Sequence, residues 1–167
     1  MGAVEINGYT IEPGANLRKA NLRKANLSEA NLSKANLSEA NLRKANLSKA
    51  DLSEANLHRT YLIEANLHRT YLVGADLSEA YLHGAFLTGA NLSGANLYGA
   101  NLYGVYLKGA NFSGANFSGA NLGWAYLTGT DLTGADLTST DLSGAFADQA
   151  TKWPEGFDPK AAEVTFE

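Results

Sequence analysis

A large apolar residue recurs at every fifth position from Leu17 to Leu142, which makes 26 consecutive five-residue units. A period of five matches neither the 3.6-residue period of an α-helix nor the two-residue period of a strand, so neither structure could keep all these side chains on one buried face. A short extended segment followed by a turn in every unit meets this condition. The central residue and the residue two before it then share the buried face, and the two residues after the centre form a corner.

The units vary little at the two positions expected to be buried. The centre is Leu everywhere except at Phe112 and Phe117. The residue two before the centre is Ala except at five positions, which are Thr60, Thr70, Val105, Thr130 and Thr140. This invariance within one chain predicts a repetitive core of large residues beside small ones.

Units such as Ala15-Asn16-Leu17-Arg18-Lys19 and Ala90-Asn91-Leu92-Ser93-Gly94 cover roughly 130 of the 167 residues and resemble the pentapeptide-repeat family. The segment 150–159 also resembles the tail of cyanobacterial members. The resemblance implies an all-β, right-handed quadrilateral parallel β-helix with four units per coil, a 20-residue stacking period and about 6–7 coils. At about 4.8 Å per coil, the rod is expected to be roughly 31 Å long.

The two ends of the chain differ in composition from the repeats. We expect an N-terminal cap over residues 1–14, the β-helix over 15–149 and a C-terminal cap or tail over 150–167, because an open solenoid end exposes strand edges and core. The segment 8–11 is a candidate to cover one end. Trp153, Phe157 and Phe166 are candidates for the other.

The last position of each unit predicts a change in the corners. From Gly74 onward it is mostly Gly, whereas before Gly74 it is always Lys, Glu or Arg. Positive φ at the third residue of a type II turn suits Gly and is unfavourable for other residues. We therefore expect type II corners after residue 74, type I or irregular corners before it, and a backbone transition near that residue.

Charged residues sort into columns when residues 20 apart are stacked. Opposite charges then face each other in Lys19–Glu39, Arg59–Glu79, Lys34–Glu54, Lys44–Glu64 and Glu29–Lys49. Such pairs set register and solubility. The exception is a basic patch, Arg23, Lys24, Arg43 and Lys44, which is a candidate contact for phosphates or an acidic protein. We do not expect a nucleic-acid partner, because four charges are a weak signal.

Aromatic residues form another column at the position before the centre, which is otherwise Asn or Asp. Phe86, Tyr106, Tyr126 and Phe146 follow one another at intervals of 20, and Tyr61 and Tyr81 form a shorter column. Aromatic residues are enriched in the cores of binding surfaces, so the longer column is a candidate protein-interaction face. The alternative is that stacked rings only stabilise the sheet. The Asn and Asp columns are expected to form structural amide ladders.

Several function classes are excluded by the residues present. The chain has no Cys, which removes disulfides and thiolate chemistry. The three histidines, His58, His68 and His83, fall on three different corners, so they do not converge as a metal or acid–base site requires. A Leu and Ala interior leaves no substrate cavity. We expect no catalysis, no cofactor and no metal.

The same sequence favours one functional hypothesis and keeps two others open. The first is a non-catalytic scaffold that binds a protein partner through a β-helix face. The family resemblance also implies a DNA-mimic type topoisomerase (gyrase) binding protein, but that role requires a strongly acidic rod. The third is a structural or assembly element that forms homodimers end to end.

The expected location is the cytoplasm. The first residues lack a basic leader, and no stretch approaches the roughly 20 apolar residues of a membrane span. The periplasm or thylakoid lumen is the alternative if a leader has been removed.

Overall fold

The computed structural model describes residues 4–167, which form a parallel β-solenoid. The first three residues of the expected N-terminal cap lie outside the described residues. Each bridge residue pairs with the residue 20 positions further along, except Asp131, which pairs with Lys152. The bridges form four columns that begin at Asn16, Asn21, Asn26 and Asn31. We call these columns the first, second, third and fourth faces, and they confirm the predicted stacking period of four units per coil.

Each unit repeats the same set of backbone hydrogen bonds. On the third face, the Leu107 amide donates to the Tyr126 carbonyl (2.9 Å), and the Tyr126 amide donates to the Val105 carbonyl (2.9 Å). The Gly109 amide reaches the next coil at the Thr128 carbonyl (3.0 Å). Nearly every coil is therefore bonded to the next on all four faces, which makes the surface rigid.

The core consists of the central residues and the small residues two before them. Phe112 and Phe117 are fully buried, with ring centroids 5.0 Å apart, and the Leu and Ala positions between the ends are almost entirely inaccessible to solvent. Where Thr replaces Ala, its hydroxyl donates to the carbonyl of a central residue in the previous coil, as Thr130 does to Leu107 (2.9 Å). The buried hydroxyls are thus satisfied.

The corners are uniform, and the expected transition near residue 74 was wrong. The last residue of every unit has positive φ, from 53° at Arg69 to 68° at Gly144, whether it is Gly or not. The type II sign of φ therefore extends over the whole solenoid. The reason is that hydrogen bonds between and within coils fix the corner conformation. The Lys19 amide donates to the Ser38 carbonyl in the next coil (3.0 Å), and the Ala20 amide donates to the Leu17 carbonyl across the turn (3.0 Å). These bonds and the buried core offset the cost of the left-handed conformation, about 1–2 kcal/mol per residue.

The Asn and Asp side chains before the centres support these corners. Each accepts, through Oδ1, the amide of the residue two positions later, as Asn96 does from Tyr98 (3.1 Å) and Asp131 from Thr133 (3.0 Å). This is the local bond of an Asx turn. The expected amide ladder is present only in places, for example from Asn116 to Asn96 (3.3 Å). The main role of these residues is therefore within the unit and not between coils.

Four short strands lie near the two ends of the described chain. Strand β1 (Val4–Ile6) pairs antiparallel with β2 (Tyr9–Ile11), and β3 (Phe146–Ala147) pairs in parallel with β4 (Thr165–Phe166). They place the two ends of the chain against opposite ends of the solenoid.

Both ends of the core are covered, although not by all the expected residues. At one end, Ile11 is buried and the Tyr9 hydroxyl accepts the Asn21 amide (3.2 Å). At the other, Trp153 and Phe157 pack against the core with ring centroids 5.3 Å apart. The expectation that Phe166 covers this end was wrong, because its side chain is 41% exposed. It belongs to β4, which has no further strand above it among residues 4–167.

Candidate functional site

The four aromatic residues singled out on the third face form a continuous stack. Ring centroids are 4.9 Å apart for Phe86–Tyr106, 4.8 Å for Tyr106–Tyr126 and 5.3 Å for Tyr126–Phe146. Phe86, Tyr106 and Tyr126 are 45%, 39% and 41% exposed, and Phe146 is partly buried. The structure therefore brings all four together on the surface, as the 20-residue spacing predicted.

The orientation of the rings determines which parts of the aromatic column are accessible to a partner. Neighbouring rings are parallel to within 3–17°, so their faces are covered by each other. Solvent meets the ring edges and the two tyrosine hydroxyls. The column is thus an apolar strip with a few hydrogen-bonding groups, which is the composition typical of the centre of a protein interface.

Two further aromatic residues lie at the corners that precede this face in the chain and were not assigned to the column from the sequence, and one of them contacts the column. Trp124, which is 53% exposed, lies 6.1 Å from Phe146 between ring centroids. It packs over Gly144, where an added Cβ would lie 2.9 Å from Trp124 Cε2. Tyr103 similarly lies beside Gly123, whose added Cβ would be 3.4 Å from Tyr103 Cδ2. Gly123 is the one Gly that directly follows a centre, and this signal in the sequence could have pointed to the site.

The aromatic column lacks the Asx bond that units with Asn or Asp before the centre have. Phe has no side-chain oxygen, and the Tyr hydroxyl lies too far out to accept the amide two positions later. Among the described residues, no side chain therefore accepts the amides of Thr88, Lys108 or Thr128. Each such bond contributes about 0.5–1.5 kcal/mol, and stacked ring pairs contribute a similar amount. The stacked rings therefore offset the missing bond, and the replacement of Asn by aromatic residues is compatible with the fold.

The shorter column, Tyr61 and Tyr81, lies on the second face and is also stacked, with centroids 4.9 Å apart. It meets the predicted basic patch. The Arg43 guanidinium lies 4.4 Å from the centre of the Tyr61 ring. Lys44 forms an ion pair with Glu64 (3.3 Å).

Half of the predicted basic patch is therefore engaged by neighbouring side chains within the solenoid. Arg23 and Lys24, by contrast, form no ion pair with any residue in the described part of the chain. This difference leaves two free cations at the N-terminal edge, as far as residues 4–167 show.

The predicted ion pairs between coils are present. The distances are 3.6 Å for Lys19–Glu39, 3.4 Å for Arg59–Glu79, 3.9 Å for Lys34–Glu54 and 3.5 Å for Glu29–Lys49. Arg18 also contacts Glu39 (2.6 Å), a pair that crosses between neighbouring columns and was not predicted. All are exposed, so each contributes at most about 1 kcal/mol.

Four Asp carboxyls near the C-terminal end have pKa values below the ordinary value for Asp, namely Asp131, Asp136, Asp141 and Asp148. For the first three, the main cause is the hydrogen bond from the Thr or Ser side chain two positions later, together with that residue's amide. For Asp148 it is the Gly129 amide (2.9 Å). These groups keep this end of the solenoid negatively charged.

The histidines lie apart, as expected from their positions. His58 Nδ1 is 2.9 Å from the Ser78 hydroxyl, and the buried His83 Nδ1 has no hydrogen-bond partner within residues 4–167. Over the same residues, no group of three His, Cys, Asp or Glu side chains could hold a metal ion. No helix found there is of the length and apolar character that crossing a membrane requires.

Comparison with known proteins gives a family assignment for most of the chain. The family model for pentapeptide repeats matches residues 14–48, 40–78, 75–114 and 115–151. No curated protein matches the chain significantly.

Solved structures that are similar to this chain include the following three. HetL, a pentapeptide repeat protein involved in heterocyst differentiation regulation in the cyanobacterium Nostoc sp. strain PCC 7120, is 35% identical, with 80% of this chain and 74% of HetL covered and a TM-score of 0.44. A pentapeptide repeat protein of the Arabidopsis thaliana thylakoid lumen is also 35% identical, covering 54% of this chain and 66% of its own, with a TM-score of 0.46. Full-length QnrB1, a plasmid-mediated fluoroquinolone resistance protein, is 16% identical over 85% of this chain and 83% of its own, with a TM-score of 0.47.

Proposed function

This chain belongs to the pentapeptide-repeat family, and from that premise we propose that it is a non-catalytic scaffold that binds a protein partner through the aromatic column of its third face. The observation that carries the proposal is the exposed stack of Phe86, Tyr106 and Tyr126. Repeats of this family form interaction surfaces and not catalytic centres, so the partner is expected to contact the side chains that the coils display.

The chemistry of the aromatic column supports a protein partner. Aromatic side chains are enriched among the residues that contribute most to protein binding, because they bury a large area with few rotatable bonds. The rings here are held in place by stacking before any partner arrives, so little side-chain entropy remains to be lost on binding. Trp124, packed on Phe146, widens the strip.

The scaffold in this proposal is the right-handed quadrilateral β-helix of six to seven coils implied by the family. Its flat faces suit a partner with a flat or extended surface. The inter-coil bonds on every face keep neighbouring side chains at fixed spacing, which favours recognition of one partner geometry.

The surface charge argues against the DNA-mimic alternative. A mimic of DNA requires acidic side chains along the whole rod. Residues 15–59 instead contain nine Lys or Arg and four Asp or Glu. A gyrase supercoiling assay tests this alternative directly: we expect no effect of the purified protein on supercoiling, and inhibition or protection of the enzyme would revive the alternative.

The proposal is tested by replacing the aromatic column with the residue that most other units carry. We expect the triple variant Phe86→Asn, Tyr106→Asn, Tyr126→Asn to fold normally, because Asn at this position supplies the Asx bond. Affinity capture from the source cells should then recover a partner with the unchanged protein and lose it with the triple variant.

The matched control is the double variant Tyr61→Asn, Tyr81→Asn, which removes the other aromatic stack. It should retain the partner, because this stack lies on the second face. Recovery of the same proteins by the triple variant and the unchanged protein would contradict the proposal. Circular dichroism and thermal unfolding of each variant separate loss of binding from loss of fold.

A further inference from the structure

Strand β4 leaves an open edge on the third face within residues 4–167. The amides of Thr165 and Glu167 donate to the carbonyls of Ala145 and Ala147 in the coil below (2.8 and 3.2 Å). Backbone groups alternate in direction along a strand, so the Phe166 amide and the Val164 carbonyl point away from the solenoid. Within residues 4–167 neither has a partner. One donor and one acceptor are thus presented beyond β4.

The first coil presents the complementary groups at the other end of the same face. Leu27 donates upward to Asn46 (2.7 Å), and Asn46 donates to Ala25 (2.9 Å), which leaves the Asn26 amide and carbonyl pointing outward. Both are free within the described part of the chain. Unpaired edges of this kind are templates for another strand.

The open edge at Asn26 borders a groove of about 510 Å³. The groove lies between the first coil and the N-terminal hairpin. Its apolar lining comes from Val4, Ile6, Ile11, Leu27 and Ala30. A groove of this composition accepts an apolar side chain from an added strand.

We propose that the third face continues from one copy of the protein into the next, with β4 of one copy pairing in parallel with the strand at Asn26 of a second copy. The Phe166 amide would donate to the Asn26 carbonyl, and the Asn26 amide to the Val164 carbonyl. These two bonds repeat the pattern that joins Leu107, Tyr126 and Val105 inside the solenoid. This inference concerns the ends of the rod and does not depend on the proposed function.

The side chains on the inner side of the two strands fit this arrangement. Thr165 is the bridge partner of Phe146, so Phe166 occupies the position of a central residue and Val164 that of the small residue before it. Val164 is buried, whereas Phe166 is exposed. Pairing with a second copy would place Phe166 beneath Leu27 and bury it in the groove. This also accounts for an exposed Phe in a position that is buried in every repeat from Leu17 to Leu132.

The charges at the two ends are complementary. Glu163 precedes Thr165 by two residues, as Gly144 precedes the bridge partner Phe146, and it has the positive φ of a corner residue (60°), so it extends the corner column that begins at Lys24. The second copy's corner would bring Lys24 onto Glu163, which repeats the opposite-charge stacking of Lys44 on Glu64. Lys24 and its neighbour Arg23 are the cations of the basic patch that have no ion pair within the described residues.

This contact joins different surfaces of the two copies, so it is heterologous and builds open chains, not closed dimers.

A cysteine cross-linking experiment tests whether the C-terminal end of one copy meets the N-terminal end of the next. The chain has no Cys, so a single introduced thiol reports on one position. We would prepare Asn26→Cys and Thr165→Cys separately, because both side chains are exposed and the pairing makes them bridge partners at a distance that a disulfide spans.

Under mild oxidation, the mixture of the two variants should form a disulfide-linked pair, and each variant alone should remain mostly unlinked. The matched control is Asn16→Cys, which is exposed at the same edge but on the first face. It should not link to Thr165→Cys. Equal linking of Thr165→Cys to both edge positions, or stronger linking of each variant to itself, would overturn the proposal.

Sedimentation provides a second, independent readout. The weight-average mass should rise above 17.7 kDa with increasing protein concentration, and more strongly at low salt. Lys24→Glu or Phe166→Asp should abolish the rise. The double variant Lys24→Glu, Glu163→Lys should restore it. A constant mass of 17.7 kDa at all concentrations, or a rise that these variants leave unchanged, would contradict the pairing.

Discussion

The ring of Tyr106 lies parallel to the ring of Tyr126, with 4.8 Å between the centroids and 3° between the planes. This spacing equals the distance between neighbouring strands of a sheet, so the two rings reproduce on the surface the period of the backbone beneath them. Side chains at the position before the centre therefore stack at this spacing in successive coils. Four tests address the forces that hold these side chains and the corners beside them.

We expect Tyr106→Asn to lower the free energy of unfolding by about 1 kcal/mol. The variant loses two ring stacks, with Phe86 and with Tyr126, at about 0.5–1.5 kcal/mol each, and gains one acceptor for the Lys108 amide, at about 0.5–1.5 kcal/mol. Tyr106→Ala loses the stack and gains nothing, so it should be less stable than Tyr106→Asn by about 0.5–1.5 kcal/mol. Urea denaturation measures both, and equal stability of the two variants would show that the Asx bond contributes nothing here.

The corner residues should respond to substitution in opposite directions. Arg69 has φ of 53°, so Arg69→Gly relieves strain of about 1–2 kcal/mol but increases the entropy of the unfolded chain by an equivalent of about 0.4–1 kcal/mol. A net gain between about 0 and about 1.6 kcal/mol is expected. Gly94 has φ of 65° with nothing within 4 Å of an added Cβ, so Gly94→Ala should lose about 1 kcal/mol through the backbone alone. Thermal unfolding of both variants checks the signs, and stabilisation by Gly94→Ala would refute this account of the corners.

Acid should weaken the C-terminal end through Asp148. This carboxylate accepts the amides of Gly129 (2.9 Å), Ala150 (3.1 Å) and Thr151 (3.0 Å), which lower its pKa below the ordinary value of 3.8. Because the folded pKa is below the unfolded one, the stabilisation is fully present above the unfolded pKa and is lost as pH falls through the folded pKa.

The variant Asp148→Asn should therefore show a shallower loss of stability than the unchanged protein as pH falls from about 5 to about 2. Urea midpoints measured across this range test the expectation. Parallel pH profiles for the two proteins would mean that the Asp148 carboxylate does not contribute. The other lowered carboxyls, such as Asp136, remain in both proteins and account for the residual slope.

Replacing a buried Thr by Val should lower the free energy of unfolding, because the Thr hydroxyl makes a hydrogen bond. Thr130→Val preserves the volume but removes the hydroxyl that donates to Leu107, so a loss of about 1 kcal/mol is expected. The reciprocal variant Val105→Thr should be tolerated within about 1 kcal/mol, because the carbonyl of Leu82, at the same 23-residue offset, is placed to accept the new hydroxyl. A large loss of stability for Val105→Thr, measured by chemical denaturation, would show that this acceptor is not available.

The amino-acid sequence by itself determined the period of the solenoid, the inward positions of Leu and Ala and the columns of charge and aromatic residues. These follow because a strict five-residue repeat admits one register, and residues 20 apart then stack without further information. The pairs Lys19–Glu39 and Phe86–Tyr106 therefore follow from residue spacing alone, and both are present in the fold.

Only the tertiary structure decided the conformation of the corners, the flanking of the aromatic column by Trp124 and the exposure of Phe166. Local preference alone predicted negative φ at Lys24, but the hydrogen bonds of closed coils outweigh that preference and impose positive φ at every corner. The position of the Trp124 ring depends on the space that Gly144 leaves one coil away. The exposure of Phe166 depends on β4, which pairs with Phe146 at an offset of 19 residues instead of 20. These features depend on contacts between coils and at the ends of the solenoid. The five-residue period does not determine which residues meet there.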